Sequence, residues 1–342
     1  MPIFNIQGGK IRSIVNVIPQ KIKDNLEEDL IPVAERESLV AHTGIRYRRT
    51  FQNKSITITE LFVQGISHTL DALQWDASSI SAIVCVTQTP ETHIPAVSCL
   101  LHNEFNFNVS TACLDINLGC SGYIYGLHQT LCLLQNQLDG YGRALLCCGD
   151  ITSKLIENDK TSTPIFSDGV SITAVEFDTK TPNNRSPFIF NLETLGSGHT
   201  AIRSEYENNK EVMRLNGIEV FNYSVQFVPK HIKELLNYIN AEDVSVVVLH
   251  QANKLINDAI TKRLPTPNAE FPSTLFQYGN MASASIPITL VDYLTNNKPK
   301  SNQLLLSGFG VGFSMGTVAI TLDSTVYLTT IEYLSKTEDL II

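Results

Sequence analysis

The sequence predicts an α/β protein made of two halves of similar design. Three observations carry this. Short apolar runs rich in β-branched residues alternate with stretches of helical periodicity, the alternation is run through twice, and no low-complexity linker parts the two passes. The halves fall at residues 1–180 and 181–342 and are expected to pack intimately. Duplication rests on pattern alone, since no residue-level repeat is evident. Of the 342 residues, 43% are hydrophobic and 17% charged, enough for a large core and a poor fit to disorder or a coiled coil.

The chain opens with a polar, charged stretch reaching to about Arg49, after which strands and helices alternate. Ser81-Ala82-Ile83-Val84-Cys85-Val86 is short and apolar, as a strand covered on both faces of a parallel sheet is. A helical stretch near 96–105, an apolar segment at 109–116, a helical one at 121–136 and a strand at Ala144-Leu145-Leu146-Cys147-Cys148 follow. The run from Val170 to Phe177 closes the first half. Phe188-Ile189-Phe190 opens the second. Val220, Tyr223, Phe227, Ile232, Leu235 and Leu236 then recur at helical spacing across 219–239, where Pro229 is expected to kink the helix because it lacks a backbone donor. Val244 to Leu249, Leu304-Leu305-Leu306 and the run from Gly316 to Leu322 read as strands. The tail from Ser324 onward bears no chemical signature and reads as an added strand or helix.

Composition excludes several classes. A net charge of −9 argues against nucleic acid as a partner. The seven cysteines are odd in number and mostly sit in apolar runs, the habit of reduced core thiols rather than of a disulfide framework. No cysteine or histidine spacing suits zinc, so no metal site is expected. No run approaches the roughly 20 apolar residues that span a bilayer. The N-terminus also lacks the basic-then-apolar pattern of a secretory signal. The expectation is a soluble cytoplasmic protein without membrane insertion.

Three places put a reactive side chain beside structure built to aim it. In Asp115-Ile116-Asn117-Leu118-Gly119-Cys120-Ser121-Gly122, a strand ends and Cys120 stands where a helix begins. The positive end of that helix is expected to lower the thiol from about 8.5 toward about 5–7 and make it a nucleophile; the alternative is a small packing residue. In Val248-Leu249-His250-Gln251-Ala252-Asn253, an apolar strand delivers His250 at its carboxyl end, where α/β sheets place ligands. His250 suits a general base or an oxyanion donor, or else a structural histidine. In Tyr278-Gly279-Asn280-Met281-Ala282-Ser283, Asn280 is either a helix cap or a fixed amide donor. The turn Ser307-Gly308-Phe309-Gly310-Val311-Gly312-Phe313-Ser314 can present backbone N–H groups inward, as an oxyanion hole requires.

Taken in order, Cys120, His250 and Asn280 followed by Gly-Phe-Gly-x-Gly-Phe resemble the β-ketoacyl-acyl-carrier-protein synthase III family of the thiolase superfamily, over nearly the whole chain. His42-Thr43-Gly44-Ile45-Arg46-Tyr47-Arg48-Arg49 is similar to the family's Thr-Gly-Ile-x-x-Arg motif. Thr92-His93-Ile94-Pro95 is similar to the segment before its dimer-contacting helix, Phe166-Ser167-Asp168-Gly169 to its Phe-Gly-Asp-Gly turn, and Asn216-Gly217-Ile218-Glu219-Val220-Phe221 to its Gly-x-x-Val-Phe helix start. His250-Gln251-Ala252-Asn253 is the most specific. The pairing of His with Asn, rather than a second cysteine, a glutamate or a second histidine, is shared with the chalcone-synthase-like enzymes, and the short length and the His-Gln-Ala-Asn wording favour the synthase III family.

The resemblance implies a thiolase-like, duplicated, five-layered αβαβα architecture, the first half carrying Cys120 and the second His250 and Asn280. It implies an acyltransferase whose Cys120 takes an acyl group from a thioester and condenses it with malonyl carrier protein, with loss of CO2, as in fatty acid synthesis. His250 and Asn280 would stabilise the enolate, and the backbone N–H groups of Cys120 and Val311 the oxyanion. A positive φ at Val311, where the family has glycine, would be strained. Asn253, Gly217, Phe221 and Ile94 would border the pantetheine and acyl group, Ile94 across a homodimer interface. No metal or redox cofactor is implied; the pantetheine arm of CoA or of acyl carrier protein is the only handle.

Three departures bear on the donor. Ser38 and His42 stand where the family has a CoA-stacking tryptophan and an arginine, and Leu255 where it has another arginine. These favour an acyl carrier protein, docked by Lys254, Lys262 and Arg263, and a secondary route such as acyl groups for surface sugars. Acyl transfer to an alcohol or amine without condensation, and an inactive partner subunit, are the competing readings.

Overall fold

The computed structural model describes residues 3–334 except 52, 54, 157–158 and 181–184. The first half contains β1 (Ile3–Ile6), β2 (Gly9–Ile18), β3 (Ile22–Asp24), α1 (Val33–Thr43), β4 (Tyr47–Arg49), α2 (Ile58–Leu73), β5 (Ile80–Val86), α3 (Val97–Glu104), β6 (Ala112–Ile116), α4 (Gly122–Gln135), β7 (Tyr141–Asp150) and β8 (Gly169–Asp178). The second contains β9 (Phe188–Thr194), β10 (Ile202–Glu207), β11 (Lys210–Leu215), α5 (Gly217–Leu236), β12 (Val246–Leu249), α6 (Lys254–Thr261), α7 (Leu275–Tyr278), α8 (Ser285–Asn296), β13 (Gln303–Gly310), β14 (Ser314–Thr321) and β15 (Tyr327–Glu332).

Two sheets form, in the orders β15-β2-β8-β7-β5-β6 and β1-β9-β14-β13-β12. Helices α2 and α3 cover the outer face of the first, α5 the outer face of the second, and α4 and α8 lie between them. That is the five-layered αβαβα arrangement. The duplication missing from the residues is visible in strand order: β5-β7-β8-β2 and β12-β13-β14-β9 each run parallel, antiparallel, antiparallel.

The middle layer joins the halves. Tyr123, Ile124 and Leu127 of α4 share one core with Val84 and Leu146 of the first sheet and Val248, Leu306 and Val318 of the second. Burying each such side chain stabilises the fold by about 1.5–3 kcal/mol. Outside, α2 starts at a capping box in which Glu60 N–H donates to Thr57 Oγ1 at 3.2 Å and Thr57 N–H to Glu60 Oε2 at 2.7 Å, and it buries Leu61, Phe62 and Ile66.

Two expectations are corrected. The polar opening stretch contains β2, which lies between β15 and β8 with Ser13 and Asn16 wholly buried, Asn16 donating to Thr330 Oγ1 at 3.0 Å. The boundary near residue 180 does not part the sheets cleanly. β1 joins the second sheet and β15, the strand within the tail, joins the first; residues 335–342 of that tail lie outside the described residues. Apart from these, Pro229 lies inside α5, which the proline does not end. The carbonyl that proline cannot engage, that of Val225, accepts instead from Arg263 Nη1.

Candidate active site

Cys120 follows β6 at the mouth of α4, pinned by two near neighbours. A Cβ on Gly310 would come within 2.7 Å of Cys120 Cβ and 3.0 Å of its Sγ, so only glycine lets the β13 turn lie against the sulfur. Ser121 Oγ meets Ser314 Oγ at 2.6 Å, joining the start of α4 to β14. The backbone N–H groups of Cys120 itself and of Val311 pull the thiol's pKa down, as donors near a sulfur do. The positive φ values fall on Gly310 and Gly312 and not on Val311. The expected strain at Val311 is therefore absent: its glycine neighbours absorb the turn.

His250 stands one residue past β12. Its backbone N–H donates to Ser307 O at 2.8 Å, its carbonyl accepts from Asn257 Nδ2 at 3.0 Å, and its ring meets Phe309 edge-on at 5.6 Å. Asn280 is held from three sides. Its N–H donates to Ile165 O at 3.0 Å, its carbonyl accepts from Ser167 N–H at 2.8 Å, and its side-chain Oδ1 accepts from Ala282 N–H at 2.9 Å. With the amide oxygen so occupied, Nδ2 is the group left for the cavity. Both readings of Asn280 thus hold at once: the oxygen caps a turn while the nitrogen is a fixed donor.

Cys120, His250 and Asn280 line one cavity of about 50 Å³, together with Gly217, Asn253 and Gly310. The three are 5, 1 and 4% exposed, so desolvation governs the protonation of Cys120 and His250. Burial drives His250 down to about 3, leaving a neutral imidazole whose Nδ1 has no partner among the described residues. Burial, with the nearby Asp150, pushes the Cys120 thiol up to about 12, against the pull of the two backbone N–H groups. The expected lowering toward 5–7 is overturned: the helix terminus acts on a sulfur shut away from water beside a carboxyl group.

Asp150, which sequence reasoning missed, ends β7 on the other side of Cys120. It accepts from Gln88 N–H at 2.6 Å and Thr87 Oγ1 at 3.1 Å, and burial lifts it to about 6. An acid directly ending an apolar strand, Cys147-Cys148-Gly149-Asp150, was the available signal. A second, smaller cavity of about 20 Å³ touches Cys120 here. The thiol thus sits between two chambers. The larger groove of about 720 Å³ nearby does not reach it; its Arg48 is engaged by Glu28 and Asn25.

The remaining sequence candidates are dispersed. Asn253 lines the cavity with its own Oδ1 capping α6, accepting from Ile256 N–H at 2.9 Å. Phe221 lies on α5, partly buried against the core beneath that helix, and is not among the cavity residues. Ile94 is 89% exposed and lines neither of the cavities that touch Cys120. Lys254 pairs with Asp258 and Arg263 is taken by Val225 O, which leaves two of the three docking candidates engaged within the fold.

Two stacked α/β halves closing on a buried cysteine, with histidine and asparagine opposite it, define an acyl-transferring enzyme of the thiolase fold. Residues 114–193 match the 3-oxoacyl-[acyl-carrier-protein (ACP)] synthase III family and residues 236–322 its C-terminal domain. The β-ketoacyl-[acyl-carrier-protein] synthase III of Lactobacillus helveticus is 30% identical over 90% of this chain and 97% of its own. A putative 3-oxoacyl-[acyl-carrier-protein] synthase 3 of Campylobacter jejuni is 28% identical over 91% and 93%. The crystal structure of a 3-oxoacyl-(acyl-carrier protein) synthase from Burkholderia xenovorans superposes with a TM-score of 0.88 at 27% identity, over 97% of this chain and 99% of that one. This chain belongs to the β-ketoacyl-acyl-carrier-protein synthase III family.

Proposed function

We propose that the protein performs a decarboxylative Claisen condensation between an acyl thioester and malonyl carrier protein. The observation that carries this is one cavity shared by Cys120, a neutral His250 and an oriented Asn280 amide. Plain acyl transfer needs the sulfur but not two donors facing it. In the first half-reaction Cys120 Sγ attacks the thioester carbonyl, the oxyanion held by the N–H groups of Cys120 and Val311. The C–S bond to pantetheine breaks, and the thiol proton leaves with the pantetheine sulfur. In the second, the malonyl C–C bond breaks, CO2 departs, and its electron pair forms an enolate whose oxygen accepts from His250 and Asn280 Nδ2. The enolate carbon attacks the acyl group, Cys120 is expelled, and its sulfur takes up a proton. Each oxyanion donor contributes about 10²–10³ in rate.

Ser38 and His42 support a carrier protein as acyl donor. They hydrogen-bond to one another on α1, His42 Nδ1 to Ser38 O at 2.6 Å, where a stacking surface for adenine is wanted. Lys262 is the docking cation without an internal role assigned above. Exposed Ile94 suits a pocket wall lent to a second copy in a homodimer. No helix among the described residues is long and apolar enough to cross a membrane, which suits work on a cytoplasmic carrier. A secondary pathway, such as one making acyl groups for surface sugars, fits these departures. The test is CO2 release from malonyl carrier protein in the presence of an acyl donor. A β-ketoacyl product formed along with that CO2, and absent with Cys120→Ala, is expected; CO2 release without any β-ketoacyl product overturns condensation.

A further inference from the structure

Cys120 opens on the chamber of about 20 Å³, and a cleft of about 260 Å³ lies beyond it. The two spaces share a wall: Gln88, Leu155, Ile202, Met213 and Val311 line both. Their capacities differ in kind. The chamber holds a body of about one water, whereas the cleft has room for a chain of several carbons. How far an acyl group on Cys120 can extend therefore depends on that wall.

Two of the five meet next to the nucleophile. A Cβ placed on Gly119, the residue before Cys120, would collide with Gln88 Oε1 and come within 3.1 Å of Val311 Cγ2. The amide end of one side chain and a methyl group of the other thus converge on one point, and glycine leaves the space for them. Val311 is held firmly. Its carbonyl accepts from Ser314 Oγ at 2.6 Å, and a β-branched side chain has few rotamers. Its turn is tied to the residue after β9, with Phe313 N–H donating to Leu195 O at 3.2 Å and Leu195 N–H to Phe313 O at 2.8 Å. Gln88 is pinned through its backbone, where N–H donates to Asp150 Oδ1 at 2.6 Å. Its side chain makes one long hydrogen bond among the described residues, Nε2 to Asn117 Oδ1 at 3.5 Å.

Resting on the reading of Cys120 as the acylated nucleophile, we propose that the Gln88 and Val311 side chains set the length limit of the acyl group by closing the way from the chamber at Cys120 to the cleft. The thioester carbon bonds to Sγ as its bond to the pantetheine sulfur breaks. An acetyl group then needs the chamber for its methyl alone, and each carbon beyond the second must displace the wall. Both are specificity-determining residues through their side chains; the backbone N–H of Val311 keeps its separate part at the oxyanion.

The experiment compares acylation of Cys120 in the full chain by pantetheine thioesters of acetate, butyrate and hexanoate, read by intact-protein mass spectrometry without any malonyl donor. The readout is the ratio of acetyl to hexanoyl rates, because a disturbed oxyanion site lowers both alike. The wild type should give a ratio of at least about ten, with butyryl between the two, since one methylene too many in a closed site costs about tenfold or more. Val311→Ala and Gln88→Ala should each bring the ratio close to one. Gln88→Met, similar in length but without the amide, should keep it. A ratio near one in the wild type, or one that survives either truncation in a variant melting like the wild type, overturns the proposal and leaves Cys120 as the acyl carrier. Loss of the preference in Gln88→Met likewise overturns a limit set by size. No adduct from any donor overturns the nucleophile assignment and this proposal with it.

Discussion

The two halves share the strand order β5-β7-β8-β2 and β12-β13-β14-β9, yet equivalent strand ends carry different chemistry. Beyond β5 the first half has Thr87 and Gln88, gathered by a carboxylate; beyond β12 the second has His250, neutral and edge-on to Phe309. At the end of β7 stands Asp150, and at the end of β13 Gly310, which lets a backbone approach the sulfur. Among the described residues the first half adds a full strand outside β5, namely β6, which Cys120 follows, whereas the second has a single bridge, Val246 to Glu270, outside β12. One scaffold thus presents a polar, hydrogen-bonded face to one side of the thiol and a pair of neutral donors to the other. The difference lies in the loops, while the sheets supply position.

The sharpest way to break this division is to remove the second half's donors. His250→Ala or Asn280→Ala should lower condensation by about 10²–10³ while leaving acylation of Cys120 nearly intact. Rapid-quench measurement of the acyl adduct beside steady-state product formation separates the steps. Equal losses in both would mean that the chambers do not divide the work.

Asp150 offers a test on the first half. Burial holds it at about 6 against 3.8 for an ordinary aspartate, so between those values the folded chain keeps a proton that the unfolded chain has released. Stability should therefore fall as pH rises from about 4 to 6, by up to about 3 kcal/mol. Asp150→Asn removes that slope, so its melting temperature relative to wild type should climb across the same window. A flat difference would show that the carboxyl group does not titrate there.

The smallest effect belongs to a contact at the periphery. Lys10 Nζ meets Asp323 Oδ2 at 2.8 Å, linking β2 of the first sheet to the turn after β14 of the second. Both side chains are partly exposed, so Lys10→Ala should cost less than about 1 kcal/mol in denaturant unfolding, and less still at high salt. A larger cost would mean that the halves lean on their rim more than on α4.

How much of this was legible in the sequence depends on range. Cys120, His250 and Asn280 stood out because each interrupts a strand end or small-residue turn where a packed core has no need of it. β2 was hidden by Lys10, Arg12, Ser13 and Asn16, although Ser13 and Asn16 are buried and Asn16 Nδ2 donates to a residue of β15. A polar side chain whose partner lies hundreds of residues away reads as surface until the fold is known. Local dipole reasoning likewise misjudged the Cys120 thiol, because burial and Asp150 are tertiary facts. Arg263 looked like a docking cation for the same reason, when proline had already left a carbonyl for it.

The exchange of end strands, β1 into the second sheet and β15 into the first, has a bearing on biosynthesis. While the polypeptide is emerging from the ribosome, β2 has β8 on one side and an open backbone edge on the other, a template for unwanted pairing with other chains. That edge is capped only after the stretch beyond Asp323 has been translated. A nascent chain stalled before that point would carry a nearly finished first half that is still adhesive, and cutting the gene near codon 180 would yield two fragments that each lack a strand held by the other.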